Sequence, residues 1–134
     1  PMLQTQQSTL AGQAGSQAEG ENFEVYSDAR LEQLRESGKP VFVNMTASWC
    51  ITCLVNERVA LSSDTVEQAM ADNNVSYLKG DWTNNDPVIT EVLKRFQTSG
   101  VPLYLMYPSD PAKPAEVLPQ LLTEVIILDA IARL

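Results

Sequence analysis

The stretch that decides the fold runs Val41-Phe42-Val43-Asn44-Met45-Thr46-Ala47-Ser48-Trp49-Cys50-Ile51-Thr52-Cys53. Its first half, Val41–Thr46, is mostly apolar and β-branched and too short for a helix, which predicts a buried strand. Residues 51–61 are good helix formers without a breaker, which predicts a helix. The two cysteines, three positions apart, therefore stand where a strand runs into a helix.

This position makes the two cysteines unequal. Free backbone N–H groups and the positive end of the helix dipole favour a thiolate at a helix N-terminus, so Cys50 is the predicted nucleophile. Cys53 lies one turn further in, more shielded but close enough to resolve a mixed disulfide. A structural disulfide is one alternative, although a four-residue ring contributes only about 2 kcal/mol. A metal half-site shared between two chains is the other, and it lacks a histidine or a second cysteine pair.

Composition narrows the classes of function. The chain has 134 residues, 44% of them hydrophobic, which is enough for one domain with a real core. The absence of histidine excludes a His-bearing triad or zinc site. A net charge of −8, with nine scattered basic residues, disfavours a nucleic-acid partner. No apolar run reaches the roughly 20 residues of a membrane span, and the first residues lack the features of a signal peptide.

The chain divides into two parts. Residues 1–22 are rich in Gln, Ser, Gly and Ala, without Lys or Arg, and cannot offset the entropy of ordering, which predicts a flexible linker or tail. A docked strand is the alternative. Residues 23–134 have the composition of a packed domain. Pro1 preceding Met2 indicates an excised fragment, so we expect any signal or membrane anchor to lie outside this sequence.

Helices and strands alternate along the domain. Further helices are predicted at about residues 28–38, 65–71, 88–96 and 123–134, and further strands at 75–79, 102–107 and around Val117. Strands separated by helices pair in parallel, whereas the last two, joined by a turn, form a hairpin. The prediction is an α/β domain with a central mixed β-sheet flanked by helices on both faces.

Two further segments make the sequence recognisable. With Gly80-Asp81-Trp82-Thr83-Asn84-Asn85-Asp86 and Ser99-Gly100-Val101-Pro102-Leu103-Tyr104, residues 41–53 resemble the thioredoxin family. The resemblance is closer still to the C-terminal periplasmic thioredoxin-like domain of bacterial transmembrane reductases of the DsbD/ScsB type. It implies a thioredoxin-like fold in which Pro102 is cis and lies against the disulfide. Val101 would then offer backbone hydrogen bonds to an extended partner segment. A proline that merely starts a strand is the alternative.

The resemblance also bears on the side chains around the thiols. Relatives carry a buried aspartate six residues before the first cysteine, where this chain has Asn44. Glu57 matches their glutamate four residues after the second cysteine and would accept the Cys53 proton, with a plain surface charge as the alternative. Trp49 is expected to cover the disulfide. Trp82 is expected to flank the same site or to pack in the core.

These features predict a thiol-disulfide oxidoreductase that needs no cofactor and no metal. The weakly stabilised Cys50 thiolate expected without neighbouring cations favours a reductant or relay over a strong oxidant.

The resemblance implies that electrons arrive from a membrane-embedded reductase domain of the same polypeptide and leave to periplasmic thiol-disulfide proteins. The domain would be a soluble, monomeric, periplasmic part of a bacterial inner-membrane protein, tethered by residues 1–22. The alternatives are a free-standing cytoplasmic thioredoxin-like reductase, an oxidase or isomerase, and a non-catalytic binding module of the same fold.

Overall fold

A computed structural model describes residues 23–134, so the linker predicted for residues 1–22 lies outside the described part of the chain. The helices and strands are, in chain order, β1 (Glu24–Val25), α1 (Asp28–Glu36), β2 (Val41–Thr46), α2 (Ile51–Asn56), a π-helical turn (Glu57–Leu61), α3 (Asp64–Asp72), β3 (Ser76–Asp81), α4 (Pro87–Arg95), β4 (Leu103–Tyr107), β5 (Glu116–Val117) and α5 (Glu124–Ala132). Each predicted element is present. The short strand β1 is an addition, because two residues are too few to leave a sequence pattern.

The strands form one five-stranded mixed sheet in the order β1-β3-β2-β4-β5. The central strand β2 runs parallel to β3, with Val43 opposite Leu78, and antiparallel to β4, with Val43 opposite Leu105. Strand β1 pairs in parallel with β3 at one edge, and β5 pairs antiparallel with β4 at the other. The predicted parallel crossover between β2 and β3 and the predicted final hairpin are confirmed. The expectation that strands separated by helices pair in parallel is wrong for β4, which runs antiparallel to β2.

Every residue of β2 is buried. Because successive side chains of a strand point to opposite faces, both faces of this sheet must be covered, and helices cover them. On one face Phe42 belongs to a core cluster with Ala60 of the π-helical turn and Ile127 of α5. On the other face Val43 belongs to a cluster with Leu34 of α1 and Leu93 of α4. The chain thus leaves the carboxyl end of β2, between the two core clusters, and continues into α2.

Local capping explains where three of the helices begin. The side chains of Ser27, Ser63 and Asp86 accept hydrogen bonds from backbone N–H groups in the first turns of α1, α3 and α4, at 3.0, 3.1 and 2.8 Å. These are the caps expected of such residues ahead of helical segments. None of the helices in residues 23–134 is long and apolar enough to cross a bilayer.

Close packing of α4 on the sheet depends on Gly80 in β3. A Cβ atom at this position would lie 2.5 Å from Met45 Sδ and 3.1 Å from Ile89 Cδ1. Both distances are shorter than ordinary van der Waals contacts, so a side chain here would force Met45 of β2 or Ile89 of α4 to shift.

Candidate active site

The two cysteines meet at the start of α2, immediately after the central strand. Cys50 is the N-cap residue of α2 and is bonded to Cys53 as a disulfide. The backbone N–H of Cys53 donates to Cys50 Sγ at 3.1 Å. Cys50 is 7% exposed and Cys53 is fully buried. The first sulfur therefore lies at a helix N-terminus, as predicted, and it is the more accessible of the two.

The loop that precedes β4 lies against this disulfide. The Val101–Pro102 peptide bond is cis, which confirms that prediction. Val101 packs against a small cluster formed by Ala47, Cys50 and Cys53, and Pro102 is buried. The structure thus brings Val101 and Pro102 beside the cysteine pair, and the use of the Val101 backbone to bind a partner stays a prediction.

The two tryptophans, one of which directly precedes Cys50 in the chain, adjoin each other. Trp49 is 55% exposed, and its ring centroid lies 6.0 Å from that of Trp82 at a tilt of 55°. Trp82 also packs against the core and donates through Nε1 to Thr90 Oγ1 at 2.9 Å. Trp82 therefore packs in the core and contacts an exposed aromatic residue, and its place at the flank of the disulfide stays a prediction.

Thr83 holds this aromatic pair to the active-site loop. Its carbonyl accepts from Trp49 Nε1 at 3.0 Å, and its hydroxyl accepts from the Ser48 backbone N–H at 2.9 Å. Sequence reasoning gave Thr83 no role, although it lies within the stretch 80–86 that carries the resemblance. The sequence feature that could have indicated a role was its position directly after Trp82, just past the end of β3.

Glu57 is tied to the sheet rather than exposed in open solvent. Glu57 Oε2 accepts from Thr46 Oγ1 at 3.2 Å and lies 3.8 Å from Lys79 Nζ. Lys79 Nζ in turn stands 4.4 Å from the centroid of the Phe23 ring. The side chains of Glu57 and Lys79 are only 18% and 14% exposed. The alternative of a freely solvated surface charge does not describe this arrangement.

A groove of about 350 Å³ opens beside this ion pair. Glu57 and Lys79 line it together with residues in or next to β1, β2 and β3 and with one residue of α2, namely Phe23, Val25, Thr46, Ala47, Ser48, Leu54, Asp81 and Thr83. The groove therefore borders the active-site loop on the side of the edge strand β1.

Asn44, at the position where the resemblance implies an acid, is completely buried. Its Nδ2 donates to the Tyr77 hydroxyl at 3.0 Å, whereas Oδ1 has no hydrogen-bond partner among the described residues. A carboxamide neither gains nor loses a proton near neutral pH. Asn44 therefore cannot act as a base in place of that acid, and a part in shaping the site stays a prediction.

A second buried amide, Asn56, was missed by the sequence reasoning. Asn56 is 1% exposed, and its Nδ2 donates to the Tyr104 hydroxyl at 2.9 Å and to the Gln120 carbonyl at 2.7 Å. Its Oδ1 accepts from the Leu122 backbone N–H at 3.0 Å. Burial raises the pKa of Tyr104 to about 12, although the hydrogen bond from Asn56 opposes the shift. The available signal was an asparagine three residues after Cys53 on the inward face of a helix.

The chemistry open to this site is sulfur exchange. Within residues 23–134, no cluster of three or more His, Cys, Asp or Glu side chains is placed to hold a metal ion. Both cysteines are consumed by the disulfide. The role of Glu57 as acceptor of the Cys53 proton stays a prediction.

A disulfide at the start of a helix, packed against a cis-proline loop at the end of a mixed sheet, is typical of a thioredoxin fold. The family model described as thioredoxin-like matches residues 22–109, and the chain belongs to this family.

Among characterised proteins it is similar to thiol:disulfide interchange protein DsbD 1 of Pseudomonas aeruginosa, with 31% identity over 109 residues, covering 80% of this chain and 18% of the relative. It is also similar to thiol:disulfide interchange protein DsbD of Yersinia pestis, with 35% identity over 86 residues, covering 60% of this chain and 14% of the relative. The chain spans less than a fifth of the length of these two relatives.

Solved structures show the same fold. The oxidised C-terminal domain of Neisseria meningitidis DsbD superposes with a TM-score of 0.66 at 21% identity, covering 84% of this chain and 98% of that domain. A chloroplastic thioredoxin z superposes with a TM-score of 0.60 at 26% identity, covering 83% and 92% of the two chains. The predicted thioredoxin-like fold is thereby confirmed.

Proposed function

We propose that this chain is a thiol-disulfide oxidoreductase domain that acts as a reductant, passing electron pairs from a membrane-embedded domain of the same polypeptide to periplasmic protein disulfides. The observation that carries the proposal is the Cys50–Cys53 disulfide at the N-terminus of α2, packed against Val101 of the cis-proline loop. A four-residue disulfide ring at such a place serves exchange better than it serves stability.

The reaction begins with the pair reduced. The Cys50 thiolate attacks one sulfur of the partner disulfide; a Cys50–partner bond forms, the partner S–S bond breaks, and the released partner thiolate takes a proton. Cys53 then loses its proton and attacks Cys50 Sγ. The Cys50–Cys53 bond closes, the Cys50–partner bond breaks, and the second partner thiolate leaves and is protonated. Two electrons have passed from this chain to its partner.

The structure supports Cys50 as the attacking sulfur. It is the more exposed of the pair, and the Cys53 backbone N–H already donates to its sulfur at 3.1 Å. The same donor and the remaining free N–H groups of the first turn stabilise negative charge on Cys50 after reduction. Ile51 and Thr52 add no charge, so the stabilisation stays modest, as suits a reductant.

Glu57 is the proposed acceptor of the Cys53 proton. It follows Cys53 by four residues, and Lys79 and Thr46 hold its carboxylate at the edge of the groove. Asn44, in the position where relatives have an acid, offers no second carboxylate. Trp49, Trp82 and the Val101 backbone would complete the surface that receives the partner.

The membrane donor and the periplasmic acceptors are proposed from the relatives. The DsbD proteins of Pseudomonas and Yersinia are named thiol:disulfide interchange proteins and are more than five times as long as the matched segment. A membrane-embedded electron donor would lie in that remaining length, and this domain would then be periplasmic.

The direct test is a trapping experiment. The reduced Cys53→Ser variant, mixed with an oxidised protein substrate, should accumulate a mixed disulfide on Cys50, because the resolving sulfur is missing. The reverse variant, Cys50→Ser, is the matched control and should trap little. Absence of any adduct with Cys53→Ser would refute exchange and support the non-catalytic binding module.

The electron source needs a separate measurement. In cells, the Cys50–Cys53 pair should be mostly reduced when the membrane-embedded domain is present and oxidised when that domain is deleted, as read by thiol alkylation and gel shift. Equal reduction in both strains, together with rapid reduction by a soluble flavoprotein reductase, would instead establish the free-standing cytoplasmic alternative.

A further inference from the structure

The turn that follows β3 is a fixed support beside the active-site loop. The Asn85 backbone N–H donates to the Trp82 carbonyl at 2.9 Å, and Asn85 has a φ of 58°, a left-handed conformation that asparagine tolerates in tight turns. The Trp82 N–H donates to the Thr46 carbonyl at 2.7 Å, which continues the pairing of β2 with β3. Thr83 therefore stands on backbone that is hydrogen-bonded on both sides.

Asp81 decides which way the Thr83 hydroxyl points. Asp81 Oδ1 accepts from the Thr83 hydroxyl and, at 2.9 Å, from the Thr83 backbone N–H. An ionised carboxylate can only accept, and a hydroxyl has a single proton to donate. Because that proton goes to Asp81, the oxygen of Thr83 is left to accept, and it accepts from the Ser48 backbone N–H at 2.9 Å. The hydrogen bonds thus run in one direction, from Ser48 through Thr83 to the carboxylate.

The residues held by these hydrogen bonds lie directly before Cys50. Trp49 Nε1 donates to the Thr83 carbonyl at 3.0 Å, so Thr83 binds both the backbone at Ser48 and the ring of Trp49. The Cys50 backbone N–H donates to the Ala47 carbonyl at 3.2 Å, which closes the turn. Ala47 and Cys50 are buried, whereas Ser48 and Trp49 are exposed and are not fixed by burial in the core. The hydrogen bonds to Thr83 therefore fix the exposed half of this turn.

We infer that Thr83 is a positioning residue for sulfur exchange: its hydroxyl, oriented by Asp81, holds the turn before Cys50 so that this sulfur meets a protein disulfide in one orientation. The inference rests on the proposed function and adds to it two residues that act through the turn. A protein disulfide is part of a large surface and cannot adjust to a turn that moves, whereas a small disulfide can align itself with Cys50. Loss of the hydroxyl therefore slows exchange with proteins and spares exchange with small disulfides.

The test compares Thr83→Val, which has nearly the same shape without the hydroxyl, with Thr83→Ser, which keeps it. Insulin reduction driven by dithiothreitol gives kcat/KM for a protein disulfide, and reaction with 5,5′-dithiobis(2-nitrobenzoate) gives the reactivity of the reduced pair towards a small one. Thr83→Val should lower kcat/KM for insulin about threefold to tenfold, as expected for loss of one hydrogen bond. Its rate with the small disulfide should stay within about twofold of the wild type, and Thr83→Ser should restore the insulin value.

Amide hydrogen exchange in the oxidised protein measures the hydrogen bond itself. In Thr83→Val the Ser48 amide should exchange about tenfold faster than in the wild type or in Thr83→Ser, because its acceptor is gone. The Lys113 amide, which donates to the Asp110 carbonyl in the turn after β4, is the internal control and should not change. Unchanged exchange at Ser48, or faster exchange without any loss of insulin reduction, would overturn the inference.

Asp81→Ala tests the orientation of the hydroxyl. It also keeps the inference testable if Thr83→Val does not fold, because Asp81 lies on the surface. Asp81→Ala should lower kcat/KM for insulin, and the double variant should lose no more than Thr83→Val alone, since both act through one hydrogen bond. Multiplied losses in the double variant, an unchanged insulin value in Asp81→Ala, or equal losses with the protein and the small disulfide would each contradict positioning through Thr83.

The proposed function and this inference fail in different ways. Failure of the wild-type chain to reduce insulin at all would refute the proposed function. Equal insulin reduction by the wild type and Thr83→Val would refute only the inference, so the two failures are distinguishable.

Discussion

Alkaline pH should destabilise the oxidised chain in a way that can be traced to Tyr104. Burial raises the pKa of this phenol to about 12, from an ordinary value of 10.0; the hydrogen bond from Asn56 lowers it, and the charge of Glu57 raises it. The folded chain therefore holds the Tyr104 proton more tightly than the unfolded chain does. The contribution of this proton to stability is complete below pH 10 and is lost as the pH rises towards 12.

The magnitude follows from the shift. At pH 11 an unfolded tyrosine is mostly ionised while folded Tyr104 is mostly neutral, so the free energy of unfolding falls by about 1.4 kcal/mol relative to pH 8.5, and by about 2.7 kcal/mol once both states are ionised. Burial also raises the pKa of Tyr26 and Tyr107, so the wild type should lose more than this in total. The part that belongs to Tyr104 is the difference between the wild type and Tyr104→Phe.

The assay is urea unfolding of the oxidised protein, followed by tryptophan fluorescence at pH 8.5 and pH 11. Tyr104→Phe should lose about 1.4 kcal/mol less than the wild type over this interval. Equal losses in the two proteins would show that Tyr104 ionises as easily in the folded chain as in the unfolded one. The hydrogen-bonded pair of Asn56 and Tyr104 would then not be closed to solvent.

The remaining predictions concern the proton acceptor and the packing of the sheet. Glu57→Gln should slow the resolving step about 10- to 100-fold near pH 7, measured as a longer-lived mixed disulfide on rapid mixing with a protein substrate. Glu91→Gln, a change on the surface of α4, is its control, and equal lifetimes in both variants would remove Glu57 from the mechanism. Gly80→Ala should lower the free energy of unfolding by about 1–3 kcal/mol, since its Cβ meets Met45 and Ile89. A loss below about 0.5 kcal/mol in urea unfolding would show that α4 yields to the new methyl group.

Local patterns were enough to predict most of the architecture. Features that depend on only a few neighbouring residues could be predicted from the sequence. They are the buried strand β2, the helix caps at Ser63 and Asp86, and the turn between β4 and β5. The place of Cys50 at a helix N-terminus followed from the same local reading. The cis bond at Pro102 needed the resemblance, because no local pattern distinguishes a cis proline from one that starts a strand.

The long-range contacts of the site could not be predicted in this way. Asn56 finds its partners 48 and 66 positions away, and only the folded sheet brings them to the end of α2. The ion pair of Glu57 with Lys79 depends on the register of β2 with β3, where Asn44 lies opposite Lys79. Neither partner is close in sequence, and an isolated glutamate or asparagine on a helix indicates nothing about what it will meet.

The unequal exposure of the two sulfurs affects how electrons would enter and leave the domain. Cys53 is fully buried, so under the proposed function each electron pair would enter and leave the domain through Cys50. The electron donor and the electron acceptor would therefore bind in turn at the same surface around Cys50, and the domain would not bind both at once. The rate of electron transfer would then depend on how quickly one partner dissociates and the next one binds. Weak, short-lived complexes would therefore favour rapid transfer.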